Sequence, residues 1–211
     1  MVLINGQPGV QTVADAAQGV GRMDHQGALV VQEANPVLTE ITYRGQTFAA
    51  AIPPGTGQAH GTAISTTAAF CLANPATSGK NLVLQEINAG YISGTLGAGI
   101  LALLSHASSP PITAPSGGTA ITPQNMLLGF GTASVANCRF NCTVPATGLM
   151  IRTLFNMSQI AATAALTQPA VYYLHGAVII APGTAVSVQG VAAAGGSPLV
   201  VIGAVWTEMP V

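Results

Sequence analysis

Charge is what this sequence has least of. Five Lys and Arg and six Asp and Glu make up 5% of its 211 residues, where about 25% is ordinary for a soluble domain. Lysine occurs once, at Lys80, and the formal net charge is −1. A surface that neutralises several phosphates cannot be assembled from this set, which argues against nucleic acid as a partner. Long charge runs are missing too, and 49% of residues are apolar, so the composition is not that of a disordered chain. Cysteine comes as an odd three, Cys71, Cys138 and Cys142, which speaks against a disulfide framework. None is needed, because a chain of this length folds from roughly 30,000 Å² of surface to roughly 9,000 Å² and buries an ample core.

Long hydrophobic runs are also lacking, despite a mean hydropathy of +0.53. Gly94 to Leu104 is too short to span a bilayer as a helix. Ala170 to Trp206 is cut by Pro182-Gly183, Gln189, Gly195-Gly196 and Pro198, so it reads as three strands and two turns. The opening MVLINGQPGV has neither a basic region nor an apolar core, so it does not read as a signal peptide. A soluble chain made in the cytoplasm is expected, with no membrane partner.

What is present is a neutral polar surface of Thr, Ser, Asn and Gln. Such a surface tolerates close contact with other protein, because few ions would need desolvating. It suits either a well-packed β domain or a subunit that stays packed against other subunits. The charges divide the chain. Asp15, Arg22, Asp24, Glu33, Glu40 and Arg44 lie in the first 44 residues, and only Lys80, Glu86, Arg139, Arg152 and Glu208 follow. Residues 1–45 therefore read as an extended N-terminal arm with one or two strands, and residues 46–211 as a β-sandwich. The arm strands are ALVVQE and TEITYRGQTF; in the second, Thr39, Ile41 and Tyr43 face one way. Arg22, Leu29, Val30 and Val31 are the candidate arm contacts, placed by β-augmentation on a sheet edge of the same or a neighbouring subunit.

Beyond IPPGTGQ, which ends at Gln58, the signals are strands: Thr62–Ala73, Asn81–Ser93, Ile100–Ser105, Met126–Val135, Cys138–Val144, Leu149–Met157, Val171–Ile180, Ala185–Ala192 and Leu199–Glu208. Only SQIAATAALT (Ser158–Thr167) could form a short helix. Many evenly spaced strands in a domain of this size predict an all-β, jelly-roll-like antiparallel sandwich. The last strand is apolar on both faces, Leu199, Val201 and Val205 on one and Val200, Ile202 and Trp206 on the other. These six are the candidate subunit-interface residues, since a sandwich has only one face to bury against its own core.

Groups that could carry chemistry are few. In CRFNCTV, Cys138, Phe140, Cys142 and Val144 alternate with Arg139, Asn141 and Thr143, which predicts a half-buried strand with both thiols on its apolar face. Four residues along a strand cover about 13 Å, too far for a disulfide or a shared zinc. His25 pairs with Asp24 in the arm, while His106 and His175 read as strand-edge or hydrogen-bonded core residues, and with His60 they form no metal-ligand spacing. Glu86 and Glu208 could supply a carboxylate pair for glycoside cleavage only if folding joined them, and each reads as a polar strand position. NPATSGKN lacks the first glycine and the final Ser or Thr of a phosphate loop. GTLGAG has the wrong spacing for a dinucleotide site, and GYISG places Ser93 one residue late for a nucleophile elbow. No catalytic, cofactor-binding or metal residue is assigned, and no enzyme activity is expected.

Three stretches then form a pattern. Arg22 through GALVVQE to LTEITYRGQTFAAA, with an Arg-x4-Gly element in a Gly-rich leader, resembles the start of a group of tailed-bacteriophage virion proteins. AFCLANPATSGKNLVLQEINAGY continues the resemblance with its Asn-Pro and Ser-Gly-Lys-Asn turns. VIIAPGTAVSVQGVAAAGGSPLVVIGAVWTEMPV resembles the closing strands, with a Pro-Gly-Thr hairpin and a terminal Trp-x-Glu-x-Pro. The resemblance implies a jelly-roll capsid decoration or cement protein: a homotrimer on the virion capsid surface, bound to the major capsid protein and without cofactors. The alternative is a jelly-roll fibre or adhesin module recognising host glycan. A shortage of aromatics, one Trp, four Tyr and five Phe, favours the first.

Overall fold

The computed structural model describes residues 38–95, 97–107, 114–129, 131–156, 170–192 and 197–211. The chain divides into two units, Met1–Glu40 and Ile41–Val211. Residues 38–40 are the described part of the first, and they lead into a single helical turn, α1 (Thr39–Tyr43). Arg22, Leu29, Val30, Val31, His25 and the SQIAATAALT stretch lie outside the described residues.

The second unit is built from β1 (Thr47–Ala51), β2 (Gln58–Ala59), β3 (Thr67–Ala73), β4 (Lys80–Thr95), β5 (Gly99–Ala107) and β6 (Thr119–Ile121). These are followed by β7 (Gln124–Asn125), β8 (Asn137–Thr143), β9 (Leu149–Asn156), β10 (Ala170–Ile180), β11 (Thr184–Ala192) and β12 (Ser197–Pro210). Sheet I has the order β10-β4-β12-β1-β7, with β2 also on β12, and sheet II the order β6-β8-β3-β11-β5-β9. Every pairing is antiparallel. Set aside β2, β6, β7 and β8, and the remainder is β1-β12-β4-β10 facing β3-β11-β5-β9. In that arrangement the first strand pairs with the last, and every connection crosses between sheets except β5 to β9, which are neighbours in sheet II. This is the connectivity of a jelly roll, so the predicted fold class stands.

Period-2 alternation explains why these segments pair. From β12, Val200, Ile202, Ala204 and Trp206 point inward, and from β3, Phe70 and Leu72 meet them. Phe48 of β1 stacks on Trp206 with ring centroids 6.3 Å apart at 25°. Burying each such large side chain contributes about 1.5–3 kcal/mol. Asn74 ties one end of the sandwich. Its Nδ2 donates to the carbonyls of Lys80 (2.7 Å) and Ile180 (2.8 Å), while its own backbone bonds Thr184 and Gly183. The Asn-Pro turn after β3 is thereby fastened to the Pro-Gly turn before β11.

Three strand expectations are corrected. Thr39–Tyr43 is a helical turn, closed by Gly45 N–H to Thr42 O and Gln46 N–H to Ile41 O with Gly45 at φ +69. A left-handed glycine ends a helical turn, which the alternation of TEITY does not reveal. Met126–Val135 is no strand either. Asn125 Oδ1 accepts Leu127 N–H at 2.9 Å, a side-chain turn that stops pairing after β7. The strand expected from Thr62 begins at Thr67, because residues 60–66 serve another purpose described below.

Candidate functional site

The two carboxylates of the sandwich do not meet. Glu208 points inward from β12 and is buried, with Lys80 Nζ at 2.9 Å, Ser134 Oγ at 2.5 Å and Val135 N–H at 2.9 Å as its donors. It is therefore a pin for residues 134–135 rather than a polar strand position. Glu86 points outward from β4 and accepts from Asn88 Nδ2 at 3.1 Å. Carboxylates on opposite faces of one sheet cannot flank a glycosidic bond. Among the described residues no group of three His, Cys, Asp or Glu is placed to hold a metal. No helix there is long and apolar enough to cross a membrane.

The cysteines separate in a way the alternation did not predict. Asn141 adopts φ +51, a left-handed conformation that Asn tolerates better than most residues. The phase of β8 slips there. Cys138 and Phe140 join the core between the sheets, whereas Cys142 joins Ala68, Cys71, Ala73, Val144 and Ala185 in a second apolar cluster. Phe70 and Leu72 face the core, so the intervening Cys71 and this second cluster lie on the outer face of sheet II. The two thiols of CRFNCTV are thus on opposite faces. All three cysteines are free and buried. Burial and the negative charge of Glu208 raise the Cys138 thiol. A hydrogen bond to Cys142, reinforced by burial, raises that of Cys71.

The rest of the outer face of sheet II is a hydrogen-bond chain. Outward Gln189 of β11 grips the backbone of Ser65 twice, accepting its N–H at 2.9 Å and donating to its carbonyl at 3.1 Å. Gln189 Nε2 also reaches Ser187 Oγ at 3.2 Å, and Ser187 Oγ lies 2.7 Å from His106 Nε2. His106 Nδ1 is 3.2 Å from the Ala146 carbonyl. A carbonyl only accepts, so Nδ1 carries the ring hydrogen and Nε2 accepts from Ser187. A serine beside an imidazole is the start of a nucleophile. Here Ser187 and Gln189 are fully buried, and Gly148 closes over the ring: a Cβ there would sit 2.5 Å from His106 Cε1. The pair fastens residues 60–66 and 144–148 across the sheet, and these loops also bond each other through Val144 N–H to Thr66 O at 2.8 Å. Of the two alternatives for His106, strand edge or hydrogen-bonded core, the second describes it; Ser187, Gln189 and the buried His60 carry no signal in the sequence, because what surrounds them comes from segments far along the chain.

The outer face of sheet I differs. Leu199, Val201 and Val205 face outward from β12, half-buried, while Val200, Ile202 and Trp206 belong to the core. The candidate interface set therefore narrows to the first three. Beside them Ala49 and Ala51 of β1 and Gly203 floor a shallow groove of about 290 Å³ walled by Ile121, Thr122 and Gln124. A Cβ on Gly203 would come 2.6 Å from Asn88 Oδ1, so glycine leaves room for the Asn88–Glu86 bond. On the edge strand β10, Val171 (44%), Tyr173 (61%) and Ile179 (59%) are exposed, and on β9, the edge of sheet II, so are Leu149, Met150 and Ile151. Arg152 Nη1 donates to Tyr172 OH across the two edges at 3.2 Å. The opposite edges end in the two-residue β7 and three-residue β6, which blunts them. His175 is exposed in a β10 irregularity at φ +48, stacked on Tyr173 at 5.5 Å and 11°; it is not a core residue.

Comparison with protein-family models, with curated proteins and with solved structures finds no match to this chain.

Proposed function

We propose that this chain is a structural virion protein of a tailed phage, a capsid decoration or cement subunit that works as a homo-oligomer, most simply a trimer. The observation that carries the reading is the set of apolar residues on the outer face of sheet I and along the β9/β10 edge, Leu199, Val201 and Val205 with Val171, Tyr173, Ile179 and Leu149 to Ile151. Among the described residues the charged groups beside them are Glu86 and Arg152, and each already has a protein partner. Covering such a surface is worth roughly 25 cal/mol per Å², and few ions would be desolvated. Three copies acting together would multiply modest contacts with the major capsid protein through effective concentration. The role is mechanical: cross-bracing neighbouring capsid subunits by burial repeated at each symmetry-related position.

One feature favours a second reading, a fibre or adhesin module. Tyr173 and His175 present a stacked, exposed aromatic pair at a bulge, a geometry suited to a sugar ring. Density of intact virions tests both. Protein spread over the capsid faces supports the cement role, protein at a tail tip or spike end supports glycan recognition, and virions lacking the chain overturn both.

A further inference from the structure

We propose that the chain Ala146–His106–Ser187–Gln189–Ser65 is an acid-released latch: protonation of His106 frees residues 144–148 and 60–66 from sheet II and uncovers the apolar cluster holding Cys71 and Cys142. This device is independent of the docking role of sheet I. Hydrogen-bond direction is set along the whole chain. Gln189 is fixed in orientation because its Oε1 takes the Ser65 N–H and its Nε2 gives to the Ser65 carbonyl. Its amide therefore presents a donor to Ser187, whose hydroxyl hydrogen is directed to His106 Nε2. His106 in turn donates from Nδ1 to Ala146. A proton added at Nε2 turns that atom into a donor, so Ser187 Oγ must accept from both His106 and Gln189, and its own hydroxyl hydrogen, in a fully buried position, loses the acceptor it had.

The surroundings offer the new charge no relief. His106 faces Ala185 and Ser187 on β11, Ala146 and Gly148 on the covering loop, and Leu149 on β9 through its neighbour Ser105. The titratable or charged groups on that face are Cys71, opposite Ser187, then Cys142 and Arg139. Among the described residues none of the groups packed on the ring is a carboxylate. Burial accordingly lowers the pKa of His106, with the Ala146 carbonyl opposing in part. The same holds at the other end of the 60–66 loop. His60 is buried against Gly190, neither ring nitrogen has a hydrogen-bond partner among the described residues, and burial lowers its pKa against a smaller effect of the Gly61 backbone. Gly190 N–H meets His60 O at 2.6 Å, so loosening this histidine loosens the start of the loop.

The thiols supply the readout. Native protein is labelled with dithiodipyridine, which reacts in acid as well as at neutral pH, and modification is located by mass spectrometry. Rates are divided by those of the urea-unfolded chain at the same pH. Cys71 and Cys142 are expected to label faster at about pH 5 than at about pH 7.5 by roughly tenfold or more, while Cys138 between the sheets stays protected. Equal rates at the two pH values, or all three thiols rising together, overturn the latch. His106→Gln should remove most of the pH dependence, leaving only the part that His60 supplies, and an undiminished dependence overturns the latch. Should that variant not fold, Ser187→Ala serves instead: removing the hydroxyl that fills Nε2 should move the labelling midpoint to higher pH, and an unmoved midpoint counts against the proposal.

Discussion

The two outer faces of one sandwich show how the same strand alternation can serve opposite ends. On sheet II the outward residues of β11 include Ser187 and Gln189, which hold covering chain beside the apolar cluster of Ala185, Cys71 and Cys142. On sheet I the outward residues of β12 are Leu199, Val201 and Val205, half-buried beside exposed edge residues. Sheet I is not uniformly apolar: Thr47 and Thr207 also face outward, where Thr42 Oγ1 bonds Thr47 Oγ1 at 2.9 Å and Gln85 Nε2 bonds Thr207 Oγ1 at 3.3 Å. Polar outward side chains hold down covering backbone, whose N–H and C=O groups require partners. Apolar outward side chains have no backbone to satisfy and suit another apolar surface.

The largest expected effect removes what both faces share. Trp206→Ala empties a fully buried site against Phe48 and should cost about 3–5 kcal/mol in denaturant unfolding. A neutral result would mean that the sheets do not close over this residue. Next comes the covered face. Gln189→Ala strands the Ser65 N–H and carbonyl and should cost about 1–3 kcal/mol, with the sedimenting species unchanged.

Acid acts on that same face. His60 and His106 have pKa values lowered below their ordinary 6.5, so the unfolded chain binds protons that the folded chain refuses. Their contribution is complete above the unfolded value near 6.5 and is lost as pH falls through the folded values. Unfolding midpoints measured downward from neutral pH should fall across that window, and His106→Gln should flatten the profile. A profile that is level from neutral to about pH 5 would remove the histidines from the account.

The smallest effect on stability, and the sharpest on assembly, belongs to the open face. Tyr173→Ser with Ile179→Thr should change unfolding free energy by no more than about 0.5 kcal/mol per site, yet shift sedimentation toward monomer. If this pair and Gln189→Ala altered assembly and stability in the same proportions, the distinction between the two faces would collapse.

Much of the fold was legible because alternation and turn chemistry are local signals. The positions of β3, β4, β5 and β8 to β12 followed from apolar periodicity and from Asn-Pro, Pro-Gly and Ser-Gly turns. Two of the errors fell where a single backbone angle changes the reading. Gly45 at φ +69 turned TEITY into a helical turn, and Asn141 at φ +51 moved Cys142 to the other side of its sheet. Asn141 was a usable signal, since Asn in mid-strand is disfavoured and tolerates left-handed geometry.

The candidate site was harder to read. That β12 is apolar on both sides was visible in the chain, and so was the scarcity of charge. Which side faces out depended on where the partner sheet lies, information spread across more than 130 residues between Phe70 and Trp206. The latch could not be read at all: Ser65 and Gln189 are 124 positions apart and Ser187 and His106 are 81 apart. Composition and periodicity therefore determined that this is a neutral β-sandwich with apolar surface to spare, because those properties belong to each strand alone. The tertiary structure decided which outer face is fastened shut and which stays open, because hydrogen bonds between distant segments exist only after the jelly roll has brought them together.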